Sequence, residues 1–364
     1  MTDLVVRGSA ALTLAGFFAA GVRAEPHLAI RAGLSCASCH VNRTGGGGRT
    51  AYGASYGATQ LPAPARSERA GAFDGSIHPR VRIGGDARAA YVGNFQDDAA
   101  YVGEYRLRGV NVYLAVEVLE DRLTLYADER IAPGGALSRE AFVLLQGTRG
   151  GLYAKAGRFF LPYGLRLLDD EAATRRGSGF TFEASDTGVE LGGLAGGWSW
   201  AASATNGRDG GAEADNGKQF VGTLALVRAG WRAGLSASTN DLPGPEKREL
   251  AGVFAGARAG PIVAIAAADI LRDVDDAGTA TRGATAHVEI DATPRPGFTL
   301  RGWWGAVDPD DATTGDGQTQ LGVGVDWTPW PALQIRAYFR DRAGTAPSAG
   351  GRGDEVVAEV HLYF

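Results

Sequence analysis

The chain has 364 residues and a formal net charge of −5, from 36 Lys and Arg against 41 Asp and Glu. That balance, with no RNA- or DNA-binding signature, excludes nucleic acid as the expected partner. Fifty-five glycines, 45% hydrophobic residues and a mean hydropathy of −0.10 do not describe a helical enzyme; they suit many short strands joined by turns.

Residues 1–24 read as a secretory signal. Arg7 supplies a thin positive region, Ala10 to Val22 an apolar run, and Val22-Arg23-Ala24 a small-x-small cleavage site. The run is too short to span a bilayer, and no later stretch supplies about eighteen uninterrupted apolar residues. The mature chain is expected to begin near Glu25, outside the bacterial cytoplasm.

Cys36-Ala37-Ser38-Cys39-His40 reads C-x-x-C-H, the attachment signature of a c-type haem. Two thiols at this spacing reach the vinyl groups along one edge of the porphyrin. The adjacent His40 can then serve as the proximal iron ligand. A redox dithiol, or a zinc site of two thiolates and two imidazoles, stands as the alternative. The only two cysteines of the chain lie here, so none is left for a structural disulfide.

Residues 25–62 form the unit that carries this motif. Its apolar inventory (Leu28, Ile30, Leu34, Val41, Tyr52, Tyr56 and Leu61) is too small to enclose a haem alone. The remainder of the pocket is therefore expected from elsewhere in the chain. Gly45 to Gly48 read either as a flexible loop or as backbone brought close to the porphyrin. Residues 63–79 are a Pro-, Ala-, Gly- and Ser-rich linker that includes His78.

From residue 80 to 364, segments of about ten residues alternate apolar and polar side chains between turn signals. Val356, Ala358, Val360, Leu362 and Phe364 take one face of the last segment, and Glu355, Val357, Glu359, His361 and Tyr363 the other. About sixteen such segments occur, at 80–92, 104–117, 122–131, 139–147, 151–160, 184–194, 197–206, 217–227, 230–239, 248–258, 261–271, 281–291, 297–307, 317–327, 332–341 and 354–364. Short connections alternate with long, mostly acidic ones, the rhythm of an antiparallel transmembrane β-barrel of the outer membrane. Trp198, Trp231, Trp327 and Trp330 fall near segment ends, where interfacial girdles lie. The short turns include residues 292–296 and 328–331. The longest connection, 161–183, holds Arg166, Asp169, Asp170, Glu171, Arg175 and Arg176. It reads either as an exposed loop or, by resemblance to sixteen-stranded porins, as an inward loop in which these six are constriction residues.

With Met1 the only methionine, His/Met ligation of iron is excluded once the signal leaves. The distal position then belongs to a histidine, to a weak ligand or to none. The candidates are His361, His78 and His27, with His287 a further one. His361 falls on the lumen face near the periplasmic rim.

The whole plan resembles the fused monohaem cytochrome–porins, a group that includes outer-membrane iron(II) oxidases. Pro26, Ala29, Arg31, Gly33, Cys36, Cys39 and His40 carry the resemblance, followed by a barrel that ends in Phe364. It implies one covalent haem c plugging a barrel in the outer membrane of a Gram-negative bacterium, with the haem toward the periplasm. It further implies outer-membrane lipid around the barrel, a periplasmic electron carrier, and an extracellular small-molecule or metal-ion redox partner. After the haem segment this chain reads VNRTGGGGRTAYG, where the iron oxidases have Phe-Pro and Leu-Asn stretches. The resemblance thus favours an electron-transfer protein over an iron(II) oxidase. Two other expectations compete: a diffusion porin whose haem plug gates or senses, and a soluble periplasmic cytochrome with a β-sandwich domain.

Overall fold

The computed structural model describes residues 25–63, 73–95, 101–147, 151–213, 215–344 and 353–364. The signal segment 1–24 and linker residues 64–72 lie outside them. The linker residues Ser76–His78 form a short strand against the start of the wall.

The wall has sixteen strands. They are β1 (Val81–Phe95), β2 (Val102–Leu119), β3 (Leu123–Ala132), β4 (Leu137–Gln146), β5 (Tyr153–Phe160), β6 (Ser185–Ala195), β7 (Trp198–Thr205) and β8 (Gln219–Arg228), then β9 (Trp231–Asp241), β10 (Lys247–Ala259), β11 (Ile262–Val274), β12 (Ala280–Arg295), β13 (Phe298–Asp308), β14 (Gln318–Trp330), β15 (Leu333–Gly344) and β16 (Asp354–Tyr363). Each pairs antiparallel with its successor, and β16 pairs with β1 from Asp354–Phe95 to Tyr363–Asp86, closing the sheet. A closed ladder leaves no edge strand, which an open sheet of this length would expose. Closure also overturns the β-sandwich alternative, because one sheet returns on itself instead of two sheets packing face to face.

Alternation sets the two faces. Val253 and Ile270 point outward and are 63% and 67% exposed, while the inward residues of β16, Glu359, His361 and Tyr363, are buried. Trp198, Trp231, Trp327 and Trp330 stand on the outside near the rim of short turns. An outer surface of exposed Val, Leu, Ile and Trp around a polar interior is unstable in water and suits hydrocarbon. No helix among the described residues is long and apolar enough to cross a membrane.

Several strands run further than their alternation suggests, two of them through irregular pairing. β12 continues to Arg295 and β14 to Trp330, through register shifts at Ala292/Arg295 and Trp327/Trp330. Pro294 and Pro329 fall inside these shifts, where the ladder does not require their missing N–H. The turns expected over 292–296 and 328–331 are correspondingly tighter.

Residues Glu25–Ala63 lie inside the barrel at the short-turn rim. Helix α1 (Pro26–Ala32) starts on proline and ends at Gly33 in the left-handed conformation. Its Ile30 packs among Phe254, Val263 and Ile265 of the wall. Arg31 donates to the Pro261 carbonyl in the β10–β11 turn. Helix α2 (Ala51–Thr59) is capped by Thr50, whose hydroxyl accepts from the Gly53 N–H at 3.1 Å. The core that this short unit lacks is supplied by the wall, since Val41 joins a cluster with Tyr126, Phe142, Phe159 and Leu161.

The long connection after β5 folds inward. Tyr163 stacks on Phe180 at 4.4 Å and donates to Asp269 across the lumen at 2.9 Å. Helix α3 (Ala173–Ser178) rests against β11, β12 and β13. All six charged candidates of this loop therefore sit within the barrel. Asp169 pairs with Arg340, Asp170 with Arg175 at 2.8 Å, and Glu171 with Arg176 at 3.0 Å.

Candidate functional site

Plug and inward loop leave a chamber of about 360 Å³ between them, a volume in the range of small-molecule sites. Cys36, Cys39, His40 and Gly45 to Gly47 border it from the plug, Arg166 and Phe182 from the loop, and His361, Asp86 and Tyr338 from the wall.

The motif itself is a 3₁₀ turn, Cys36–Ser38, followed by a tight hairpin. The Cys39 and His40 N–H groups donate to the Cys36 carbonyl at 3.1 and 3.0 Å. His40 then bridges to Arg49, and Val41 donates to the Gly48 carbonyl at 3.0 Å. The loop between holds the glycine run, and it is packed rather than free. A side chain on Gly47 would meet Tyr126, Asp128 and Glu140, and Gly47 has φ +62°. Gly53 of α2 lies so close to the Cys39 carbonyl that any Cβ there would collide with it. Glycine is thus required for α2 to press against the motif.

His40 is 6% exposed, and neither ring nitrogen makes a well-formed hydrogen bond; the Gly46 and Gly47 backbone lies against the ring. Burial, and then the charge of Arg49, hold its pKa down to about 4, so the imidazole is neutral and can donate a lone pair at physiological pH. Cys39 is buried and its thiol is pushed up to about 12, first by burial and then by Cys36. Among the described residues, no cluster of three metal-ligating side chains includes either thiol, so a mixed zinc site is not assembled.

Haem c fits what is present. It needs two free thiols on one side of a cavity, a neutral imidazole beside them, and cations for two propionates. Cys36 and Cys39 form no disulfide, and Arg49 and Arg232 border the chamber. Arg232 approaches the Cys36 sulfur at 3.5 Å.

The structure separates the distal candidates. His361 borders the chamber, with Nδ1 held 3.1 Å from Gln334 Oε1 while Nε2 is buried without a hydrogen bond. His27 also borders it, between Glu25 at 3.3 Å and Asp291 at 3.5 Å. His78 is exposed on its short strand, where Nδ1 accepts from the Arg80 N–H, and it does not border the chamber. The short strand pairs beside Val81, which keeps His78 apart from the chamber that His361 and His27 border. His287 faces inward, buried beside Glu289.

Sequence reasoning missed the polar seam that docks the plug. Asn42 donates to Glu140 and accepts from Lys155 Nζ at 3.0 Å, and Lys155 also pairs with Glu190 at 3.0 Å. All four side chains are buried. The one available signal was a set of charged residues at inward positions of β4, β5 and β6, which alternation alone assigns to a wet lumen.

Fold and site together define a plugged, sixteen-stranded barrel of the porin type. Similar solved structures include an anion-selective porin from Comamonas acidovorans, with a TM-score of 0.62 at 12% identity over 78% of this chain and 99% of that one. OmpF of Salmonella typhi, solved with daunomycin, gives 0.61 at 13% identity, over 78% and 97%. The outer-membrane channel DcaP of Acinetobacter baumannii gives 0.59 at 12%, over 78% and 97%. At these identities the likeness is one of fold. No protein-family profile matches the chain, and no curated protein resembles it in sequence.

Proposed function

We propose that this chain is an outer-membrane electron-transfer protein that carries one covalent haem c in the chamber between plug and inward loop. The supporting observation is the placement of Cys36, Cys39 and His40, which border a cavity lined by arginines and carboxylates that the short plug could not enclose without the wall. Cys36 and Cys39 would hold the porphyrin edge and His40 the iron, with His361 and His27 as further histidines of the same chamber. When bound, the haem supplies a one-electron iron couple. The protein's part is to exclude water, neutralise the propionates with arginines and insulate the site from lipid. The porin-type wall favours the outer membrane of a Gram-negative bacterium. The plug's position at the short-turn rim favours the periplasmic end, where a soluble carrier would exchange electrons. An extracellular small molecule or metal ion would be the other partner, reaching the chamber through the lumen, since the hydrocarbon core is about 30 Å thick.

The test is the Cys36→Ala/Cys39→Ala chain. It should keep a heat-modifiable barrel and lose all covalent haem stain together with electron transfer to an external acceptor. A double variant that still stains would end the proposal. A second reading, a diffusion porin, draws on the names of the structural neighbours. The plug across the lumen weighs against it, and liposome swelling with small sugars, expected to be absent, separates the two.

A further inference from the structure

We infer that His27, Glu289 and Asp291 form a binding site for one divalent transition-metal ion at the seam between plug and wall. His27 lies on α1, while Glu289 and Asp291 are successive inward residues of β12, so the site exists only when the plug is docked. One donor atom from each lies within 4.8 Å of the other two, and all three residues are buried. Metal–ligand bonds of about 2.0–2.2 Å place neighbouring donors about 3 to 4.4 Å apart, so a few tenths of an ångström of closure suffice.

The charge balance points the same way. Arg301 already stands among four carboxylates, at 2.9 Å from Glu289, 3.1 Å from Asp291, 3.2 Å from Asp326 and 3.3 Å from Glu25. Arg336 adds a second guanidinium, paired with Glu25 and with Asp326. Two guanidiniums are thus shared among four carboxylates at this seam. In a place where Asp291 is 1% exposed, an uncompensated charge is costly. A divalent ion among these carboxylates lowers that cost.

An independent observation comes from His287. It lies on the same inward face of β12, is 1% exposed and makes no hydrogen bond among the described residues. Its Nε2 is directed at Glu289 Oε2 from 3.7 Å. A buried imidazole of that kind completes or orients a carboxylate ligand. Imidazole with carboxylates selects manganese, iron(II), cobalt or zinc over calcium and magnesium. The assignment holds whether or not the two thiols carry haem. It commits His27 to this ion and leaves His361 as the histidine facing His40's chamber.

The experiment uses the full-length protein, purified in detergent, stripped with EDTA and titrated with Mn²⁺, the free ion being followed by EPR. One equivalent should bind, and Zn²⁺ should displace it. Asp291→Asn and His27→Gln should each weaken binding at least ten-fold, and His78→Gln should leave it unchanged. His27→Gln changes only the plug, so heat-modifiable mobility certifies the barrel even if Asp291→Asn fails to fold. Absence of a stoichiometric site, or unaltered binding in His27→Gln, overturns the inference and means that shared protons balance the carboxylates.

Discussion

The wall is held by its own continuous ladder, in which every strand has two partners, and its outward side chains need only an apolar surrounding. The plug has helices of seven and nine residues, too short to persist alone, and a core completed by Phe254, Tyr126 and Phe142 of the wall. Stability therefore flows one way. The barrel can stand without an ordered plug, while the plug cannot stand without the barrel. A haem site built from the plug is in consequence only as firm as the seam between the two.

The harshest way to break this relation is to attack the wall from outside. Val253 sits mid-strand in β10, facing outward between Leu235 and Ala268. Val253→Arg places a charge at bilayer depth and should cost about 2–4 kcal/mol. Heat-modifiable mobility should fall and plug protection vanish with it. A protected plug in a barrel that fails to form would refute the one-way dependence.

Acid attacks the plug alone. An unfolded His40 has a pKa of 6.5 and the folded residue about 4, so the unfolded plug takes up a proton that the folded plug refuses. Its stability is full above pH 6.5 and falls as the pH drops toward 4. The loss reaches about 3 kcal/mol in a chain without haem. In Cys36→Ala/Cys39→Ala, hydrogen exchange corrected for intrinsic rate should accelerate in residues 25–62 between pH 7 and 4.5. Strand peptides should stay protected. Equal behaviour of both regions would contradict the comparison.

The two regions also differed in how far their sequences could be read. Alternation in Val356 to Phe364 and its counterparts, with the short-long rhythm of the turns, located about sixteen strands but not all their ends, because a period of two has one buried solution when one face meets lipid. Cys36, Cys39 and His40 stood out by spacing as a candidate motif. What spacing could not supply was contact between residues more than a hundred positions apart. Lys155 meeting Asn42, and Asp269 meeting Tyr163, depend on barrel closure and on the inward course of the long loop. The placement of His78 apart from the chamber shows the same limit. His78 is near the first strand in sequence, which says nothing about which side of the wall its side chain occupies.

The finest probe of the seam is Asn42→Ala. Asn42 is 0% exposed and joins the plug to two buried charges of the wall. Its amide oxygen also accepts from the Thr44 N–H and hydroxyl, at 3.2 and 2.9 Å, which shapes the turn into the glycine run. Removal does not strand either charge entirely, since Lys155 keeps Glu190 and Glu140 keeps the Phe160 N–H at 3.0 Å. The cost is then that of lost charge-assisted bonds and not of an orphaned ion, about 2 kcal/mol. It should appear as faster tryptic cleavage after Arg31, Arg43 and Arg49 at neutral pH, with heat-modifiable mobility unchanged. If the barrel weakens by the same amount, the Asn42 bonds belong to the wall's own stability, and the seam is not the joint that limits the plug.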